Sequence, residues 1–161
     1  MEKRPLSVAA GALPVTSMRR SLSTRHVATE TTEHLHGLAL FFEPRYRARY
    51  LGLVERGRLD RIAKDLPHFK HLDDRFAKKM PDGRQGPAQI AATLREHGAP
   101  SRCFVLSDHP ELHSTEVDLD DALTRIVGFG YGTLISCLPG RLAYFEGEEM
   151  RERYLLERPP A

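Results

Sequence analysis

Residues 127–137 read VGFGYGTLISC, three glycines at alternate positions running into an apolar stretch. Whether they stand before or after a helix decides what the second half of the chain is. A glycine loop that cradles phosphate leads out of a strand and into a helix N-terminus, where free N–H groups and the helix dipole face the anion. Here the order is the opposite. Upstream, Asp118 is placed to cap a helix through Leu119, Leu123, Ile126 and Val127, with Asp120 and Asp121 against the positive end of its dipole. Downstream, TLISC reads as a strand. The glycines therefore follow a helix at its carbonyl end, which repels phosphate, and they match neither GxGxxG nor GxxxxGK[ST]. Gly128 is expected to cap the helix C-terminus, with Gly130 and Gly132 in a tight connection to the strand.

Strand signals continue on both sides. RCFVLS at 102–107 is a short apolar run expected to be a buried strand. TLISC, the turn Leu138-Pro139-Gly140 and RLAYFEG form a hairpin signal, and RERYLLER offers a last strand. The 24 residues from Asp108 to Tyr131 suffice for a helical crossover, which would make the first two strands parallel neighbours.

The first half reads as helical. Behind Pro44, Tyr46, Tyr50, Leu53 and Val54 form one apolar stripe ending near Gly57. Leu59, Ile62, Ala63 and Leu66 repeat the spacing, Phe69, Leu72, Phe76 and Met80 continue it beyond Pro67, and Ile90, Ala91 and Leu94 carry it from Pro87 to Gly98. The expected fold is a single α+β domain over 34–161, with a mainly helical part (34–98) packed on a small mixed sheet (99–161) in β-α-β-β-β order. Residues 1–33 are rich in Ser, Thr, Ala and Arg without sustained periodicity. They read as a disordered tail or a targeting leader, with Met18 an alternative start.

Composition bounds the function. At 161 residues, 40% hydrophobic and 29% charged, the chain is that of an ordinary soluble domain. Its longest apolar run, LALFF, is far short of the roughly 18 residues of a membrane span. Cys103 and Cys137 make no disulfide framework and suit reduced thiols in the core of a cytoplasmic protein. The net charge of +2 hides a split: residues 41–102 carry 14 Lys and Arg against 8 Asp and Glu, and residues 103–161 carry 5 against 11.

Three sets of residues carry candidate chemistry. The crossover loop SDHPELHSTEVD groups Asp108, His109 and His113, enough for a general acid or base. His68, His71 and Asp74 repeat at three-residue spacing and would suit a divalent metal, although on a helix they march around its axis. If the two sets met in space they would form one stronger site. Arg45, Arg47 and Arg49 line the outside of the first helix and Arg141 follows the hairpin turn, all placed to bind anions. With no catalytic constellation of diagnostic spacing, the expected function is non-catalytic binding or regulation through a basic helical face or an exposed sheet edge. The expected partner is another protein rather than nucleic acid or a membrane, with no cofactor. The alternative is a small hydrolase, with or without a divalent metal, built on the Asp108, His109 and His113 loop.

Overall fold

The computed structural model describes residues 28–160. Backbone contacts divide the chain into Met1–Glu30 and Thr31–Ala161. The tail or leader expected at 1–33 falls outside the described residues as far as residue 27. Its end is helical, in α1 (28–38), which begins before the expected domain boundary at 34.

The order continues with α2 (Pro44–Glu55), α3 (Leu59–Asp65), β1 (Ala77–Lys79), α4 (Pro87–Glu96), β2 (Arg102–Ser107), β3 (Thr115–Asp118), α5 (Leu119–Ile126), β4 (Thr133–Leu138), β5 (Leu142–Glu146) and β6 (Arg153–Glu157). The class is α+β, as expected, but the sheet is neither mixed nor in β-α-β-β-β order. Six strands lie in the order β1-β6-β5-β4-β2-β3, every neighbour antiparallel.

The parallel expectation fails at β3. Residues Thr115–Asp118 fold straight back on β2, with Cys103 opposite Val117 and Phe104 opposite Glu116. Helix α5 then carries the chain over to β4, which pairs antiparallel with the other side of β2, Val105 opposite Ile135. The helical crossover exists, but it starts from β3.

Helices cover both faces of the sheet. On one, Phe104, Leu106, Leu134, Phe145 and Leu156 pack under α1 to α3 through Leu38, Phe42, Tyr50, Leu53, Ile62 and Leu66. On the other, Val105, Ile135, Tyr144 and Leu155 pack under α4 and α5 through Ile90, Leu94, Leu119, Leu123 and Ile126. Burial on both faces is why the strands read as continuous apolar runs, a pattern more often met in parallel sheets. At one end of the second face this core gives way to a row of buried polar residues. Ser107, Thr133, Glu146 and Arg153 are register partners across four strands.

One segment departs from its periodicity. The helix expected through Phe69, Leu72, Phe76 and Met80 is an extended stretch, a turn and β1. The Asp73 carboxylate accepts from the Arg75 N–H and guanidinium, and the Phe76 N–H donates to the Asp73 carbonyl, closing a turn where a helix would continue. Strand β1 then pairs with β6, Lys78 opposite Leu155, and the flanking N–H groups of Met80 and Glu157 extend the ladder to Arg153 and Phe76. RERYLLER is thus an inner strand, which removes it as an exposed edge. The edges are β1, with two lysines in three residues, and the four-residue β3; such short, charged edges resist further pairing.

The α5 capping expectation holds. Asp118 accepts from the N–H groups of Asp120 and Asp121 at 3.0 and 3.2 Å, and Gly128 follows the helix with φ of +84°. Asp118→Ala is expected to cost about 1 kcal/mol, seen as a lower thermal midpoint. A midpoint equal to that of the unaltered protein would show that the cap contributes nothing.

Candidate functional site: a cleft on the helical front

The sequence of α2 places Tyr46 and Tyr50 one turn apart on its buried side, with Pro44 in its first turn. Their rings pack with Phe42 and Phe69, at centroid distances of 4.8 Å for Phe42 with Tyr50 and 5.2 Å for Tyr46 with Phe69. The extended segment after the Leu66–His68 turn runs beside the start of α2. There the Glu43 N–H donates to the His71 carbonyl and the Asp73 N–H to the Phe41 carbonyl, each at 2.8 Å. These bonds bring four segments around one cleft of about 270 Å³: Tyr46 and Arg49 from α2, Lys64 and Asp65 from the end of α3, His68 from the turn, and Phe69 and His71 from the extended segment.

Tyr46 and Phe69 form the floor, and the five charged or titratable side chains form an exposed rim. The His71 ring lies flat on Tyr46, with centroids 4.4 Å apart and planes within 6°. The His68 Nδ1 faces Glu148 at 2.9 Å, and the His71 Nδ1 lies 3.9 Å from Glu43. The two tyrosine hydroxyls differ. That of Tyr50 donates to the Leu35 carbonyl at 2.7 Å, whereas that of Tyr46, on a side chain only 6% exposed, has no hydrogen-bond partner among the described residues. Burial, and next the Asp65 carboxylate, push the Tyr46 phenol above its ordinary value of 10, with Arg49 pulling the other way. The hydroxyl is therefore a neutral donor at physiological pH, and the charges acting on it belong to two residues of the rim.

The structure brings together Arg49, His68 and His71, which the sequence had assigned to two different chemistries, and leaves their companions elsewhere. Arg45 is solvated beside Glu43, and Arg47 donates from Nε to the Phe42 carbonyl at 3.1 Å, a structural role. Asp74 lines a separate cleft with Lys70 and Glu152. The helical His68, His71 and Asp74 set is thus undone by the turn at Asp73. Among the described residues no three His, Cys, Asp or Glu side chains are arranged to hold one metal ion.

The Asp108, His109 and His113 loop is a hairpin connection between β2 and β3, not a crossover. Its polar groups largely satisfy the loop itself. The His109 N–H donates to Ser107 Oγ, the Glu111 N–H to His109 Nδ1, and the Ser107 N–H to His113 Nδ1, while Glu111 pairs with Arg125. Ser107 Oγ and Thr133 Oγ1 lie 2.8 Å apart beneath it, and Leu112 anchors it in the core. Burial pulls the His113 imidazole below its ordinary value, opposed by Asp60. Asp108 is exposed, and no side-chain hydrogen bond joins it to either histidine. No hydrogen bond or ion pair among the described residues links 68–74 with 107–118, and no three of their His, Asp and Glu side chains are arranged to hold one metal ion. Both cysteines are buried, and burial pushes their thiols up, that of Cys103 to about 12.

Sequence reasoning missed Tyr46, Lys64, Asp65 and Phe69. The available signal was a tyrosine on the core stripe with arginine three residues on, which a helix places on the same side. Nothing local announces that 64–71 folds against it. No protein-family model, curated protein or solved structure matches this chain.

Proposed function

We propose that this is a non-catalytic binding protein that takes one anionic side chain of a partner protein into the α2–α3 cleft. The observation that carries the reading is the Tyr46 hydroxyl. A buried donor without an acceptor costs about 1–3 kcal/mol, and phenylalanine would fill the same space without that cost. An acceptor group that enters between Arg49, Lys64, His68 and His71 and displaces the cover of the hydroxyl recovers it. Size supports a single group, because about 270 Å³ is below the span of roughly 300–1,000 Å³ typical of whole small-molecule sites. Asp65 on the rim, with Glu43 and Glu148 beside its two histidines, opposes a long phosphate backbone but leaves room for one oxyanion. No helix among the described residues is long and apolar enough to cross a membrane.

The test uses O-phosphoserine and glutamate as probes on isotopically labelled protein. Saturable shifts at Tyr46, Arg49 and His71 are expected. Tyr46→Phe should weaken binding about tenfold, the equivalent of one hydrogen bond of roughly 1.4 kcal/mol, while leaving the melting temperature unchanged or higher. Shifts that never saturate, or a Tyr46→Phe protein that melts lower and binds as before, would show that the hydroxyl serves the fold.

A further inference from the structure

We infer a second, separate oxyanion site in the cleft where the β4–β5 turn meets the end of β6, taking a carboxylate or phosphate group on Arg141 and Arg158. The cleft is about 190 Å³ and is lined by His97, Leu138, Arg141, Leu142, Glu157 and Arg158 together with Pro159 and Pro160.

Arg158 is held in place from two sides. Its Cζ lies 5.1 Å over the Phe76 ring, and its Nη1 reaches towards the Gly140 carbonyl at 3.4 Å. The backbone N–H of Arg158 donates to the Arg141 carbonyl at 2.9 Å, which fixes the two residues to each other. A guanidinium so fixed loses little freedom on meeting a two-oxygen acceptor. Its charge is unanswered, because neither Arg158 nor Arg141 has a carboxylate partner among the described residues. The Nε of Arg158 is buried and without an acceptor, and a buried charged donor left unpaired is more costly than a neutral one. Among the described residues the one carboxylate lining the cleft is that of Glu157, and the Nδ1 of His97 lies 2.6 Å from it. Arg141 and Arg158 thus face the cleft without a direct carboxylate contact among the described residues, and an entering oxyanion supplies one. Leu138 and Leu142 give the site an apolar wall, so a carboxylate on a short aliphatic body and inorganic phosphate are both suitable probes.

The experiment compares sodium succinate and sodium phosphate with sodium chloride at matched ionic strength on the full chain. The readouts are thermal midpoint and the Arg158 Nε–H resonance. Both are expected to move saturably with at least one oxyanion and not with chloride, the preferred anion telling carboxylate from phosphate. Arg141→Ala removes a side chain with no protein partner, so it should fold as before and bind about tenfold more weakly. Arg49→Ala, on the α2–α3 cleft, should leave this binding intact. No response beyond chloride, or an equal response in Arg141→Ala, would overturn the site. If Arg49→Ala abolishes the response instead, the anion belongs to the first cleft and the second site is wrong.

Discussion

Glu146→Ala is expected to be severely destabilising, by about 3–5 kcal/mol, because it strands the guanidinium of Arg153 in the core. Glu146 and Arg153 are 2% and 8% exposed. The Glu146 Oε1 accepts from Arg153 Nε at 3.0 Å and from the Tyr144 hydroxyl at 2.9 Å, and its Oε2 accepts from the Gly128 N–H at 3.2 Å. Burial pushes the carboxyl above its usual range, while these donors and the charge of Arg153 hold it down. Truncation leaves three donors without their acceptor. Arg153 retains only its Nη1 contacts to the Gln85 carbonyl and side chain, which carry no countercharge.

The pair itself need not be stabilising, since two desolvated charges can be matched by apolar residues of similar volume. Glu146→Leu combined with Arg153→Met is therefore expected to cost much less than the sum of the single changes, a coupling of 1 kcal/mol or more in urea unfolding. Glu146→Ala costing under about 1 kcal/mol would mean that Arg153 finds water, and the buried pair would be the wrong description. The change should also reach the binding cleft. The loop after β5 starts at Gly147 and carries Glu148, whose N–H donates to the Pro67 carbonyl at 3.0 Å and whose carboxylate faces His68. Loosening that loop frees His68, so anion binding should weaken in any Glu146→Ala protein that still folds.

What could be read from the sequence was mostly what is decided within a few residues. The cap at Asp118, the glycine after α5, the proline at the start of α2 and the β4–β5 hairpin are all local chemistry, and each stands where the residues place it. Strand β3 was illegible because TEVD alternates half-exposed and exposed positions on an edge and buries too little to leave an apolar mark. Without it, the length of 108–131 suggested a crossover from β2, and a parallel sheet followed. Between Phe69 and Met80 the apolar spacing fitted a helix, but Asp73 competes for the backbone N–H groups that a helix needs, and the turn prevails. The cleft was legible only in fragments. Arg49, His68 and His71 drew notice singly, yet what makes them one site is the pair of bonds joining 41–43 to 71–73, a contact across about thirty residues that no local rule reveals.

Gly132→Ala is the second change expected to have a large effect, and it returns to the alternating glycines. Gly128 and Gly130 have φ of +84° and +78°, so their role is conformational. Gly132 has no such torsion. A Cβ there would lie 2.1 Å from the Pro67 nitrogen and 2.3 Å from the Leu66 carbonyl carbon, both backbone atoms that no rotamer change can move aside. Glycine is needed because the Leu66–His68 turn crosses directly over the start of β4. One added methyl must push that turn off the sheet, at about 3 kcal/mol, the upper part of the usual range for overpacking. Gly130→Ala meets nothing closer than 4.0 Å and should cost about 1–2 kcal/mol, the left-handed backbone penalty alone. The turn displaced by Gly132→Ala carries His68 and leads into Phe69, so the variant should lose O-phosphoserine binding as well as stability, whereas Gly130→Ala should keep its binding. Equal stability losses at the two positions would mean that the turn does not sit on β4. A Gly132→Ala protein that still binds O-phosphoserine normally would mean that the Leu66–His68 turn does not shape the cleft.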